Sequence, residues 1–120
     1  MGWSKEVLVD DLRWNKEFAL DQTDGDEELL LELLDLFIES SVESGYPELL
    51  GHLRSGDTRG VVSSAHGIKG AAASLGLEAI REQAKEIEIL AREGTNVDEE
   101  KIGRLGVLLK KVRGLRNRAA

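Results

Sequence analysis

Cysteine is absent from the 120 residues, proline occurs once, and Phe, Trp and Tyr together make up 4% of the chain. Without cysteine there are no disulfides and no thiolate metal sites, and the redox compartment leaves no mark on the sequence. Scarce proline and aromatic residues, set beside long leucine-rich periodic stretches, argue against strands and for an all-α chain. Histidine is limited to His52 and His66, and no metal site is expected. No apolar run approaches the roughly 20 residues of a membrane span. Met1-Gly2-Trp3-Ser4-Lys5-Glu6 lacks the apolar region of a secretory signal, so a cytoplasmic location is the expectation. Positive charge is in deficit, with 16 Lys and Arg against 23 Asp and Glu and a net charge of -7. That balance argues against nucleic-acid binding. The locally basic stretch Lys110, Lys111, Arg113, Arg116 and Arg118 reads as a solvated helix face, placed where a helix C-terminus favours cations.

What is present suits a soluble domain: 41% hydrophobic and 32% charged residues. A chain of this length buries roughly two-thirds of its unfolded surface, enough for one core. Residues 1–120 are therefore expected to form a single domain, with a core of about 11–118. A monomer is the expected state. Met1 and the compact length favour a free-standing unit, although an excised module would read the same way.

Helical periodicity divides the chain. A short helix is expected over Asp11 to Leu20, with Trp14 and Phe18 one turn apart and packed on the bundle. Asp21 to Gly25 reads as a turn. A second helix is expected from near Asp26, with Glu27 and Glu28 at its positive end and Leu30, Leu33, Leu34, Phe37, Ile38 and Ser41 inward. The acidic run from Asp24 to Glu28 lacks the alternating ligands of a calcium loop, so helix capping explains it better. Gly45-Tyr46-Pro47 predicts a kink or short break before Leu49, Leu50 and Leu53 resume the pattern. Asp57 or Thr58 can cap a third helix whose buried stripe is Val61, Ala65, Ile68, Ala72 and Leu75. Gly76 closes it. Leu77, Ile80, Ala84, Ile87 and Ala91 mark a fourth, stopping near Gly94. Thr95 or Asn96 caps a fifth, with Ile102, Leu105, Leu109 and Val112 inward and Gly103, Gly106 and Gly114 lowering its intrinsic stability. The expected fold is an all-α, antiparallel up-down four-helix bundle with a short additional N-terminal helix.

His66 is the most informative residue. It lies in Ala65-His66-Gly67-Ile68-Lys69-Gly70, followed by Ala71-Ala72-Ala73-Ser74 and Leu75-Gly76. On a helix, Val62 and Ser63 lie one turn before His66, and Lys69 and Gly70 one turn after. His66 falls about 100 degrees round from buried Ala65, at the edge of the core and exposed. Lys69 brings an ammonium close to whatever the imidazole carries. A helical glycine costs about 1 kcal/mol relative to alanine, so Gly67 and Gly70 beside a histidine suggest that another backbone must come close. His52 has no such neighbours and reads as a surface residue.

Residues Ser64 to Ile80 resemble the signature of histidine-containing phosphotransfer (HPt) domains of two-component phosphorelays, and the likeness extends from about Leu12 to the C-terminus. The stretch Gly25-Asp26-Glu27-Glu28-Leu29-Leu30, with Glu32-Leu33-Leu34 and Phe37, is similar to the start of that family's second helix. The resemblance implies that His66 accepts a phosphoryl group and exchanges it with the aspartate of a response-regulator receiver domain. It also implies that Glu88, 22 residues after His66, faces the ring, accepts from Nδ1 and leaves Nε2 to attack. Arg92, one turn beyond, pairs with that carboxylate or meets an acidic partner. Lys69 screens the phosphoryl charge, and Gly70 allows close approach.

The docking face implied comprises Val62, Ser63, Gly67, Lys69, Gly70 and Ala73, with Arg81, Lys85 and Arg92 from the next helix. The implied partners are a receiver domain, a hybrid sensor histidine kinase, or both. No cofactor is expected on this chain; Mg²⁺ is expected on the receiver. The sequence has no Gly-rich phosphate loop, so autonomous kinase activity is not expected. Two alternatives stand beside this one: the phosphoacceptor module of a chemotaxis-type histidine kinase, and a helical adaptor without transfer activity.

Overall fold

The computed structural model describes residues 11–119, and the opening residues considered above for a secretory signal lie outside that range. It is helical throughout: α1 (Lys16–Gln22), α2 (Glu27–Phe37), a π-helical segment (Ile38–Gly45), α3 (Tyr46–Ser55), α4 (Thr58–Ser74), α5 (Glu78–Arg92) and α6 (Glu99–Ala119). Segment α2–π–α3 runs on as one rod and forms a four-helix bundle with α4, α5 and α6. The short connections turn each helix back along its predecessor.

Four helix starts follow side-chain caps, three of them aspartates. Asp26 accepts from the Leu29 amide at 3.0 Å and starts α2, while Asp57 accepts from the Gly60 amide at 2.9 Å and starts α4. Before α6 the cap is Asp98, which accepts from the Glu100 amide at 2.8 Å, rather than Thr95 or Asn96. The Thr95 amide instead bonds back to the Leu90 carbonyl, finishing α5.

The N-terminal helix starts later than the periodicity suggested. Asn15 caps it by accepting from the Phe18 amide at 3.1 Å. Residues before Asn15 are drawn into backbone bonds with the α4–α5 turn: the Asn15 amide donates to the Gly76 carbonyl, and the Ala79 amide to that of Leu12. Trp14 donates from Nε1 to the Leu75 carbonyl at 2.9 Å. Trp14 is therefore a peg just after a turn, bridged to Leu77, and not the helical partner of Phe18, which is exposed.

Of the kink or short break expected at Pro47, the break is absent: the chain stays helical through it. Proline removes one amide donor and crowds the carbonyl four residues back. The chain responds by widening its helix over Ile38–Gly45, where the Tyr46 amide reaches the Ser41 carbonyl five residues back. The rod thus continues to Ser55 and ends at Gly56 in the left-handed conformation.

The core is aliphatic and comes from every long helix, with Leu34, Leu49, Ala65, Ala72, Ile80, Ala84, Ile87, Leu105 and Val112 essentially inaccessible. The basic stretch of α6 is a solvated face only in part: Lys110, Arg113 and Arg118 are exposed, Lys111 and Arg116 are half-buried, and three of the five are paired across the bundle. Arg116 holds Asp35 with two bonds of 2.9 and 3.1 Å, Arg113 holds Glu43 at 2.6 Å, and Lys111 holds Asp11. Exposed pairs of this kind each contribute under about 1 kcal/mol. His52 is half-buried: its ring lies over Gly60, with Nδ1 3.3 Å from Asp57.

Gly76 and Gly106 are among the glycines demanded by tertiary contacts. Gly76 has φ +70, and a Cβ there would lie 2.5 Å from the Asn15 carbonyl oxygen. Gly106 is buried in α6, where a Cβ would come 2.5 Å from the Tyr46 hydroxyl, which itself donates to the Ile102 carbonyl at 2.9 Å. Gly103, in the same helix, faces open space. Gly103→Ala is therefore expected to stabilise the fold by up to about 1 kcal/mol, whereas Gly106→Ala destabilises it by about 1–3 kcal/mol. Urea denaturation of the two variants measures both signs within one helix.

Candidate functional site

The site is built where α4 and α5 pack against each other, the most extensive helix contact in the bundle. Val61, Ala65, Ile68 and Ala72 turn the apolar side of α4 inward, and Ile80, Ala84, Ile87 and Ala91 do the same for α5. Alanines on both sides permit close approach. His66, next to buried Ala65, is carried to the rim, where its side chain remains 62% exposed.

Glu88 faces it from α5 and is 4% exposed. Its Oε2 lies 3.0 Å from His66 Nδ1 and also accepts from Arg92, at 3.2 Å from Nε and 2.9 Å from Nη2. Lys69 Nζ sits 2.7 Å from Oε1. That contact is an ion pair without hydrogen-bond alignment, so Oε1, sealed from solvent, has no hydrogen-bond partner among the described residues. One buried carboxylate thus gathers the histidine and both nearby cations.

Burial pushes the Glu88 carboxyl up, but the close contacts with Lys69, Arg92 and His66, joined by the charge of Lys69, outweigh it and bring it down to about 2. Glu88 is therefore ionised at neutral pH. An ionised carboxylate only accepts, so a neutral His66 carries its hydrogen on Nδ1 and keeps the Nε2 lone pair. The ring is held by one nitrogen and left nucleophilic at the other.

Of the other residues singled out in the sequence, Ser63, Gly67 and Gly70 are exposed beside His66, and Val62 and Ala73 are half-buried along the same stripe. A Cβ at Gly67 or Gly70 would meet nothing within 4 Å. The fold itself does not require either glycine. On α5, Lys85 and Arg92 are exposed, while Arg81 is half-buried and engaged by Glu78 at 2.9 Å.

Two features escaped the sequence. The Lys69–Glu88 pair was one, although its signal was present: Glu88 falls on the inward stripe between Ala84 and Ala91, a carboxylate at a core position. The other is an apolar groove of about 340 Å³ beside α4, lined by Leu33, Leu36, Phe37, Ala71 and Ser74. Leu36 there is 57% exposed.

Comparison with known proteins places this geometry in a class. The family model described as the Hpt domain matches residues 32–117, and the chain belongs to that family. The phosphorelay intermediate protein rdeA of Dictyostelium discoideum is similar over 76 residues at 38% identity, covering 63% of this chain. The match spans 30% of that relative's own length. Among solved structures, the HPT domain of a sensor hybrid histidine kinase from Shewanella superposes with a TM-score of 0.73 at 22% identity, covering 90% of this chain and 93% of that one. At that identity the likeness concerns the fold.

The Glu88 carboxylate also sets an acid response. Its folded-state value of about 2 lies below the ordinary 4.5, so the stability it contributes is present above pH 4.5 and is lost as pH falls toward 2. Glu88→Gln lacks this dependence. The stability advantage of wild type over Glu88→Gln should shrink between pH 4.5 and 2, as read by denaturant titration at each pH.

Proposed function

We propose that this chain is a histidine phosphotransfer module that takes a phosphoryl group onto His66 and exchanges it with the aspartate of a response-regulator receiver domain. The observation that carries this reading is the pairing of exposed His66 with buried, ionised Glu88 through Nδ1. It leaves the Nε2 lone pair facing outward on a helix face free of bulky side chains.

The chemistry follows from that arrangement. The Nε2 lone pair attacks the phosphorus of an aspartyl phosphate, the N–P bond forms, and the P–O bond breaks with its electrons passing to the aspartate carboxylate. The ring keeps its Nδ1 hydrogen and becomes positively charged as the bond forms. Glu88, already hydrogen-bonded at Nδ1, stabilises that charge without rearrangement. Phosphoryl transfer through a loose transition state depends mainly on alignment and charge neutralisation. This module supplies the aligned nucleophile; the receiver brings its aspartate and Mg²⁺, and a hybrid sensor histidine kinase is a fitting source of such a receiver. Reversal needs no other groups.

Docking is served by the open face over Gly67 and Gly70 and by the neighbouring groove with exposed Leu36. Val62, Ser63, Ala73, Lys85 and Arg92 surround the same region. A cytoplasmic setting goes with this role, and no described helix is long and apolar enough to cross a membrane.

Incubation with a panel of phosphorylated receiver domains should place acid-labile, base-stable phosphate on the wild type and none on His66→Gln. Gly70→Leu should fold normally yet transfer about tenfold or more slowly, because the added side chain separates the reacting atoms. Labelling only by a separate kinase core would point instead to the phosphoacceptor module of a chemotaxis-type kinase. Binding without labelling from either source would leave the adaptor.

A further inference from the structure

Lys69 is not free in this structure. Its ammonium is committed to Glu88 Oε1, 2.7 Å away, and two-thirds or more of its side chain is covered. An ammonium that moves to an incoming phosphoryl group gives up that oxygen. Oε1 is sealed from solvent and has no hydrogen bond, so uncovering it without a replacement would leave a bare buried charge.

Arg92 is placed to provide the replacement. Its Nε and Nη2 both point at the single oxygen Oε2. A guanidinium fork matches a carboxylate best when its two N–H groups take one oxygen each. A small turn of the carboxylate would convert the present two-on-one contact into that arrangement, covering Oε1 while His66 Nδ1 keeps Oε2.

Building on the phosphotransfer reading, we infer that Glu88 and Arg92 form an exchange device for Lys69. In the unphosphorylated protein, Glu88 holds the lysine; when His66 is phosphorylated, Lys69 passes to the phosphoryl oxygens and Arg92 closes over both carboxylate oxygens. Charge supports the direction. Before transfer, Lys69 and Arg92 share one carboxylate, leaving one positive charge in excess. Phosphorylation adds a dianionic group and a positive ring, and Lys69 then has the more strongly charged acceptor. Arg92 is thus a positioning residue, acting through Glu88.

The test uses phosphoramidate, a small phosphodonor that needs no receiver, and isotope-edited NMR of the lysine ammonium groups in the described chain. On phosphorylation, the Lys69 resonance should move away from its Glu88-paired position, with the loss of its coupling to changes at residue 88. In Arg92→Ala most of that movement should be lost, and phosphorylation by phosphoramidate should slow about threefold or more. Arg92→Lys should restore part of both, since it supplies charge without the fork.

A phosphorylated His66 with an unmoved Lys69 resonance would overturn the exchange and leave the phosphotransfer reading intact. So would an Arg92→Ala protein in which Lys69 moves as in wild type. Failure of phosphoramidate and receivers alike to label His66 would remove the phosphotransfer reading and this inference with it.

Discussion

The close packing of α4 on α5 is the constraint on which the site depends. Ala65 and Ala72 on one helix and Ala84 and Ala91 on the other are buried, so little bulk keeps the backbones apart. Larger residues at these positions would widen the gap, and a glutamate on α5 would no longer reach a ring on α4 at 3.0 Å. The same packing carries His66 to the rim and Glu88 beneath it. The imidazole is open to solvent while its anchor is shielded from water.

Shielding gives the anchor its strength. A buried carboxylate is unfavourable alone, and Glu88 is tolerated because His66, Lys69 and Arg92 converge on it. The cluster is a local exception in an aliphatic core and lies at the edge where chemistry would occur. Its four members come from only two helices, so their geometry is fixed by one interface. The ion pairs of Arg113 and Arg116, by contrast, join exposed groups across other helices and define no chemistry.

Glycine serves separate purposes along this chain. At Gly76 the backbone is left-handed and the Asn15 carbonyl occupies the space of a side chain; at Gly106 the Tyr46 ring does. Gly67 and Gly70 have neither reason, for the space above them is empty. Nothing among the described residues requires either position to lack a side chain. The groove containing Leu36 extends their open face with apolar surface that the bundle leaves uncovered.

Much of this was legible in one dimension. Period-3.6 stripes located the long helices, Asp26 and the Asp57-Thr58 pair marked two starts, and the His66–Gly70 string pointed to its family. Misreadings arose where distant residues compete for the backbone. Residues before Asn15 left the helix expected of them because the α4–α5 turn offers hydrogen bonds. Of the kink or break expected at Pro47, only the break is absent, since a π-helical widening keeps the rod continuous. The basic stretch of α6 gained partners that no local pattern could show. The helical class, the inward stripes and the exposed histidine depend on spacing along one helix, and so could be read from residue order alone. That Lys69 and Arg92 share the carboxylate of Glu88 depends on how closely two helices approach, which is settled when the bundle packs.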